Sequence, residues 1–417
     1  MRGEKQMSQA ANKTNAKVTE GVSNQIDHIE RSRDQIHGYS DGIRKIFDLA
    51  LSYIYYAEDA YEHGQKAIWN QARAEAPLIL AAGAIPVAFT EAGRLGSPEA
   101  MSVAEDVYQI PPEICSMVKV NIGEWYLRKN KIKKILGLGS ACEAYNVMFE
   151  VMKKEGYDVY TIDVSYRAPH IGEERYESLI SFYKEEIRQA ARWIGDGKPL
   201  DEDRLAFEIE RRNRINQKLR EICEYRIKHP TYMRSLPAMY TISATGHYFG
   251  RPDEYEDALD TIIGEFKALG ENDYNDRVVP LAWCGGRGQE FGVYEAVDEA
   301  GGAILSFNIP TPYEVDYPDW KDDPVDSLAR YMLGKHIGDN SEDRLQLLHN
   351  RITGAGCKGV LLYGTIGCTF SGIEREIWRQ YFRENEFPCL SLDGSFQVGA
   401  PSGQLVTRVK AFVEMLT

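Results

Sequence analysis

Cysteine is the residue type here with the most chemistry to offer, and seven occur, at positions 115, 142, 223, 284, 357, 368 and 389. The number is odd and no Cys-x-x-Cys pair is present, which does not fit a disulfide framework. Most intracellular cysteines are small, buried and inert, so position has to single out any that react. Cys142 follows the apolar run 135–138 in Leu-Gly-Ser-Ala-Cys-Glu, and Cys368 follows the run 360–363 in Gly-Thr-Ile-Gly-Cys-Thr-Phe-Ser. Both therefore stand where a strand should give way to a helix, one in each half of the chain. The first turn of a helix lowers a thiol's pKa and favours the thiolate that binds metal. In open α/β sheets this is also the edge where ligands bind.

Cys115 lies in Ile-Pro-Pro-Glu-Ile-Cys-Ser-Met-Val-Lys, which reads as a loop feeding a helix. Three thiolates without a neighbouring His or fourth Cys suit an iron–sulfur cubane with one iron left open. A structural zinc site would take four ligands at short spacings. Here the gaps are so long that only the folded chain could assemble the set. Cys223 on a helix, Cys357 before a strand and Cys389 at a strand start read as structural. Cys284, in Trp-Cys-Gly-Gly-Arg-Gly-Gln-Glu, is expected just after the strand 278–283, at a glycine-rich turn. That turn lacks the P-loop lysine and the full Rossmann glycine pattern. None of the eight histidines is paired at metal-ligand spacing. His247, in Ala-Thr-Gly-His-Tyr-Phe-Gly, is the candidate proton donor, set against the reading of a satisfied or solvent-facing ring.

The elements that must position these residues follow an α/β rhythm. Residues 1–25 read as loosely attached, and a helix follows on which Ile43, Phe47, Leu51 and Ile54 share a face. Strand-like runs occur in 79–89, 135–138 and 159–164, then again at 278–283, 303–309, 360–363 and 389–392. A long helical section over 173–226, broken by the turn at 195–203, joins the two sets. The expected division is a polar N-terminus and helical segment (1–70), a first α/β domain with long connecting helices (71–233) and a second α/β domain (234–417).

Net charge is −14, which argues against bulk binding to nucleic acid or to an anionic membrane. An anion would need a local basic site. The run Arg128, Lys129, Lys131, Lys133, Lys134 is the candidate, with a solvated turn as its alternative. Hydrophobic residues make up 43%, as in a soluble globular protein, and no apolar run approaches a bilayer-spanning length. The polar start lacks the apolar stretch of a secretory signal, so a cytoplasmic protein is expected.

The cysteine contexts resemble those of the 2-hydroxyacyl-CoA dehydratase and benzoyl-CoA reductase subunits, a family that includes double-cubane cluster proteins. The resemblance runs over residues 70 to 417. It rests on 75–87 (Glu-Ala-Pro-Leu-Ile-Leu-Ala-Ala-Gly-Ala-Ile-Pro-Val), on 115–123 beginning Cys-Ser-Met-Val-Lys, and on Cys142 with its helix. Residues 323–331 (Asp-Pro-Val-Asp-Ser-Leu-Ala-Arg-Tyr), the Cys368 turn and the closing segment 403–414 also match. It implies two Rossmann-like parallel-sheet domains with a [4Fe–4S] cluster between them, on Cys115, Cys142 and Cys368. It also implies a related second subunit or a self-dimer, an ATP-dependent iron–sulfur activator protein and an acyl-CoA substrate. Within the family the segments 115–123 and 323–325 lean towards the benzoyl-CoA reductase type. Many relatives carry two acids after the last strand, where this chain reads Leu392-Asp393-Gly394-Ser395. The bottom-up case is firmer for Cys142 and Cys368 than for Cys115, which leans on the resemblance.

Two other readings share the twin α/β layout. One is a homodimeric double-cubane reductase of small molecules using the same cysteines. The other is a hinged two-domain binding protein without a cluster.

Overall fold

The structure is a computed structural model that describes residues 19–36, 38–71, 75–88, 97–139, 142–163, 171–285, 292–308, 313–334, 341–394 and 401–417. Two helices open it, α1 (Glu20–Gln35) and α2 (Asp41–Glu62). Each begins on a hydroxyl: Thr19 Oγ1 accepts from the Val22 N–H and Ser40 Oγ from the Ile43 N–H, satisfying donors that a first turn leaves orphaned. Ile43, Phe47 and Leu51 are all buried, as their spacing requires. The loose attachment expected for 1–25 is corrected from residue 19 onward. Thr19 is buried and donates from Oγ1 to Glu124 at 2.9 Å, which anchors α1 to the body of the chain. Residues 1–18 lie outside the described residues.

The first sheet alternates with helices: β1 (Lys66–Asn70), α3 (Ala76–Ala81), β2 (Ala84–Ala88), α4 (Pro98–Ser102), α5 (Ser116–Arg128), β3 (Lys134–Gly139), α6 (Glu143–Lys154) and β4 (Asp158–Asp163). The strands are parallel in the order β2-β1-β3-β4. The strand-like material of 79–89, broken at Gly83, is β2; the residues before that break end α3, and Gly83 makes the turn at φ 82°. β1 was not anticipated, and it begins at Lys66, inside the segment assigned to the N-terminal helical region. Its apolar core, Ala67-Ile68-Trp69, is too short to stand out as a buried run.

The long connectors are α7 (Glu173–Ile194), α8 (Glu202–Lys228), α9 (Ser235–Ser243) and α10 (Pro252–Ala268). The second sheet then follows: β5 (Val279–Gly285), α11 (Gly292–Glu299), β6 (Gly302–Asn308), α12 (Pro324–Gly334), α13 (Ser341–Gly354), β7 (Gly359–Thr365), α14 (Thr369–Glu384), β8 (Cys389–Gly394) and α15 (Gly403–Met415). Its order, β6-β5-β7-β8, repeats the first sheet strand for strand, again all parallel. The protein is thus α/β, with two four-stranded parallel sheets and long helices between them. In each sheet the order reverses beside the first strand, the switch point where doubly wound folds bind ligands.

The halves are packed into one body. A single apolar cluster runs from Trp69 and Ile135 in the first sheet to Leu281 and Trp283 in the second. A second cluster joins Ile180 and Ile187 of α7 to Val325 and Leu328 of α12. The 323–331 segment supplies charges to the same junction. Lys184 Nζ meets Asp323 Oδ2 at 2.7 Å and Asp326 Oδ1 at 3.3 Å, and Arg330 reaches Glu177 at 2.8 Å. The basic run is likewise absorbed into structure: Arg128 pairs with Glu58 at 3.0 Å and Lys134 with Asp196 at 2.6 Å. Lys131 pairs with Glu62, and Lys133 lies over the Tyr157 ring. It therefore behaves as a braced turn. No helix among the described residues is long and apolar enough to cross a membrane.

Candidate functional site

Each of the three cysteines singled out by sequence occupies a helix N-cap: Cys115 on α5, Cys142 on α6 and Cys368 on α14. The strand-to-helix turns expected for Cys142 and Cys368 are present, after β3 and β7. Parallel strands force this arrangement, because each strand must end at the edge where the next helix begins.

Cys115 and Cys368 meet across the two halves of the molecule. Cys115 is buried, and the Cys368 thiol lies near enough to govern its titration. Backbone holds the approach: the Ser116 N–H donates to Ile366 O at 3.1 Å, and the Cys368 N–H donates to Thr365 O at 3.0 Å. Gly367 makes it possible. Its φ is 78°, and a Cβ there would lie 2.7 Å from Glu113 O. That position thus excludes a side chain by conformation and by contact.

An amide donor reaches one of the sulfurs: the Ser371 N–H lies 3.4 Å from Cys368 Sγ, while the Val118 N–H donates to Cys115 O at 3.0 Å. The neighbouring Cys368 thiol, then burial, pushes the Cys115 thiol well above the usual thiol range, against the pull of the nearby Val118 and Met117 N–H groups. Cys142 caps the adjoining helix: Tyr145 Oη in the first turn of α6 donates to Met117 Sδ at 3.5 Å, in the first turn of α5. Among the described residues no group of three or more His, Cys, Asp or Glu side chains stands as a metal cage. The donor chemistry nevertheless fits a thiolate-bound cluster: two thiols brought together from the two halves, a third on the adjoining helix, and an N–H directed at sulfur.

The other candidates fall elsewhere. Cys284 lies within β5 rather than after it, fully buried because the strand runs one turn of the pleat longer than its apolar letters indicate. The glycine-rich 286–291 lies outside the described residues. Cys357 is buried before β7, and Cys223 on α8 donates to Tyr313 Oη at 3.3 Å. Cys389 starts β8. His247 is buried, stacked on Tyr53 at 4.7 Å, and its Nδ1 accepts from the Phe249 N–H at 3.0 Å.

Sequence reasoning missed a second contact between the halves. Glu75, the N-cap of α3, accepts a hydrogen bond from Tyr317 Oη, and Tyr317 stacks on Tyr331 with ring centroids 3.8 Å apart. Beside them Arg212 is fully buried, donating to Asn216 Oδ1 at 2.9 Å and to Thr245 O. Glu75 and Tyr331 carried a signal, as the acid leading into the 75–87 segment and the last residue of the 323–331 segment.

Twin four-stranded parallel sheets, each with helices after its strands, define an α/β protein of two Rossmann-like halves. The family model described as 2-hydroxyglutaryl-CoA dehydratase, D-component, matches residues 74–416. The chain belongs to that family, and is a component of the 2-hydroxyacyl-CoA dehydratase type. A comparison with the curated proteins returned no match.

Proposed function

We propose that this chain is the cluster-bearing subunit of a 2-hydroxyacyl-CoA dehydratase, with Cys115, Cys142 and Cys368 as the ligands of a [4Fe–4S] cluster. The observation that carries the reading is that the Cys115 and Cys368 helix caps, one from each half, are tied together by the Ser116 N–H to Ile366 O bond inside a chain of this family. The family's description favours dehydration over ring reduction, and we take it over the leaning towards a benzoyl-CoA reductase subunit. When bound, the cluster would supply low-potential single-electron chemistry that no side chain offers. The chain's own part is to hold three thiolates, turn N–H groups on the sulfurs and bury Cys115 from water. A related second subunit, an ATP-dependent activator and a cytoplasmic setting complete the proposal.

Anaerobic purification tests it. The expected preparation is brown, holds iron and sulfide at about four each per chain, and brings a related chain with it in mass spectra. Cys368→Ala and Cys142→Ala should each lower iron content and abolish dehydration of a 2-hydroxyacyl-CoA. Full iron content and activity in both variants would overturn the ligand assignment. A colourless preparation of the unaltered chain would instead favour the hinged binding protein.

A further inference from the structure

The family pattern falters after β8, where one acid, Asp393, stands without the second. The structure gives Asp393 a partner that no motif marks. Arg375, on the second turn of α14, reaches back across the end of the sheet. Its Nη1 donates to Leu392 O at 3.0 Å and to Asp393 Oδ1 at 2.5 Å. The guanidinium lies on Gly364 of β7, where a Cβ would come within 2.2 Å of Nη1. A side chain at 364 would make the guanidinium shift from this path.

The brace continues towards the thiols. Gly394, next to Asp393, accepts at its carbonyl from the Ile366 N–H at 3.1 Å, and Ile366 O accepts from the Ser116 N–H at 3.1 Å. Gly394 is itself fixed, because a Cβ there would meet Tyr363 Oη at 1.6 Å. Arg375, the end of β8, the turn 366–368 and the Cys115 cap thus form one hydrogen-bonded line. The two N–H groups of one guanidinium nitrogen hold a carbonyl and a carboxylate together, at a reach a shorter side chain does not match.

We propose that Arg375 is a positioning residue for the thiol site: laid over Gly364 and bonded to Leu392 O and Asp393, it fixes the turn bearing Cys368 and, through Ile366, the cap at Cys115. A second consequence is electrostatic and rests on the cluster reading above. Arg375 and Asp393 form a compensated pair one to two helical turns from Cys368, so neither charge acts alone on the thiolates.

Two measurements test this. In the metal-free chain, hydrogen exchange at the Ile366 and Ser116 amides should rise about tenfold in Arg375→Gln, the loss of roughly one hydrogen bond's worth of protection. Arg375→Lys should rescue only part of it, and amides of β1 and β3 should keep their rates. Unchanged exchange at Ile366 and Ser116 would overturn the positioning role, and so would a uniform rise across both sheets. In the iron-loaded chain, Arg375→Gln should shift the cluster midpoint potential down and Asp393→Asn should shift it up. The double variant should return towards the unaltered value, a sign pattern that loosened packing does not produce. Same-sign shifts would overturn the electrostatic part. A chain that takes up no iron at all would sink the cluster reading, and the exchange arm would still decide the brace.

Discussion

Gly367 shows how much a single residue can carry. Its positive φ and its backbone contact with Glu113 and Ile114 let two turns from different halves touch. Gly367→Ala should therefore cost on the order of 2–4 kcal/mol, strain and overpacking together, read as a lower urea midpoint at unchanged slope. The penalty should fall on the thiols too, since the Ser116 to Ile366 bond adjoins the clash. The strand-to-helix turns of Cys142 and Cys368 were legible in sequence, because a thiol soon after a short apolar run has few other places to be, whereas the setting of Cys115 was not marked by such a run. Cys284 was misplaced by the same logic, since a strand can continue beyond its apolar letters when its neighbours bury it.

At the scale of elements, α5 is the helix that links the site to the N-terminal layer. Glu124 on its inner face is fully buried between Thr19 and Ser97, with Arg128 one turn on. Burial, opposed by Arg128 and the two hydroxyls, pushes its carboxyl from 4.5 up to about 7. An acid whose folded pKa exceeds its unfolded value holds its proton more tightly in the native state. The stabilisation is complete below pH 4.5 and drains away as pH rises to about 7. Glu124→Gln should flatten that decline, retaining on the order of 3 kcal/mol at pH 8 relative to the unaltered chain. Denaturant titrations at pH 5 and pH 8 would check it; an equal loss in both proteins would refute it. No sequence pattern reveals such a group, because Glu124 looks like any helical glutamate until Thr19 and Ser97 close over it. The same applies to Lys66–Asn70, a strand made by pairing rather than by apolar length. Longer elements such as α7, α8 and the strands of the second sheet announce themselves by period alone.

Across the whole molecule, the halves are joined by features of unequal weight. The α7–α12 ion pairs are partly exposed, so Lys184→Ala should cost no more than about 1 kcal/mol. Arg212 is different: it is fully buried, and its partners would be left unsatisfied. Arg212→Leu should cost about 3 kcal/mol or more, and calorimetry of the two variants should separate them clearly. The contact between Glu75 and Tyr317 spans 242 positions of sequence, which is why neither residue predicts the other. That distance matters in time as well as in space. As the chain is synthesised, Cys115 and Cys142 emerge early, while Cys368 appears only after most of the second sheet has been made. A half-made chain carries two thiols and no seam to close them. The meeting of Cys115 and Cys368 therefore acts as a mark of completion, present only once both halves have been translated, folded and docked.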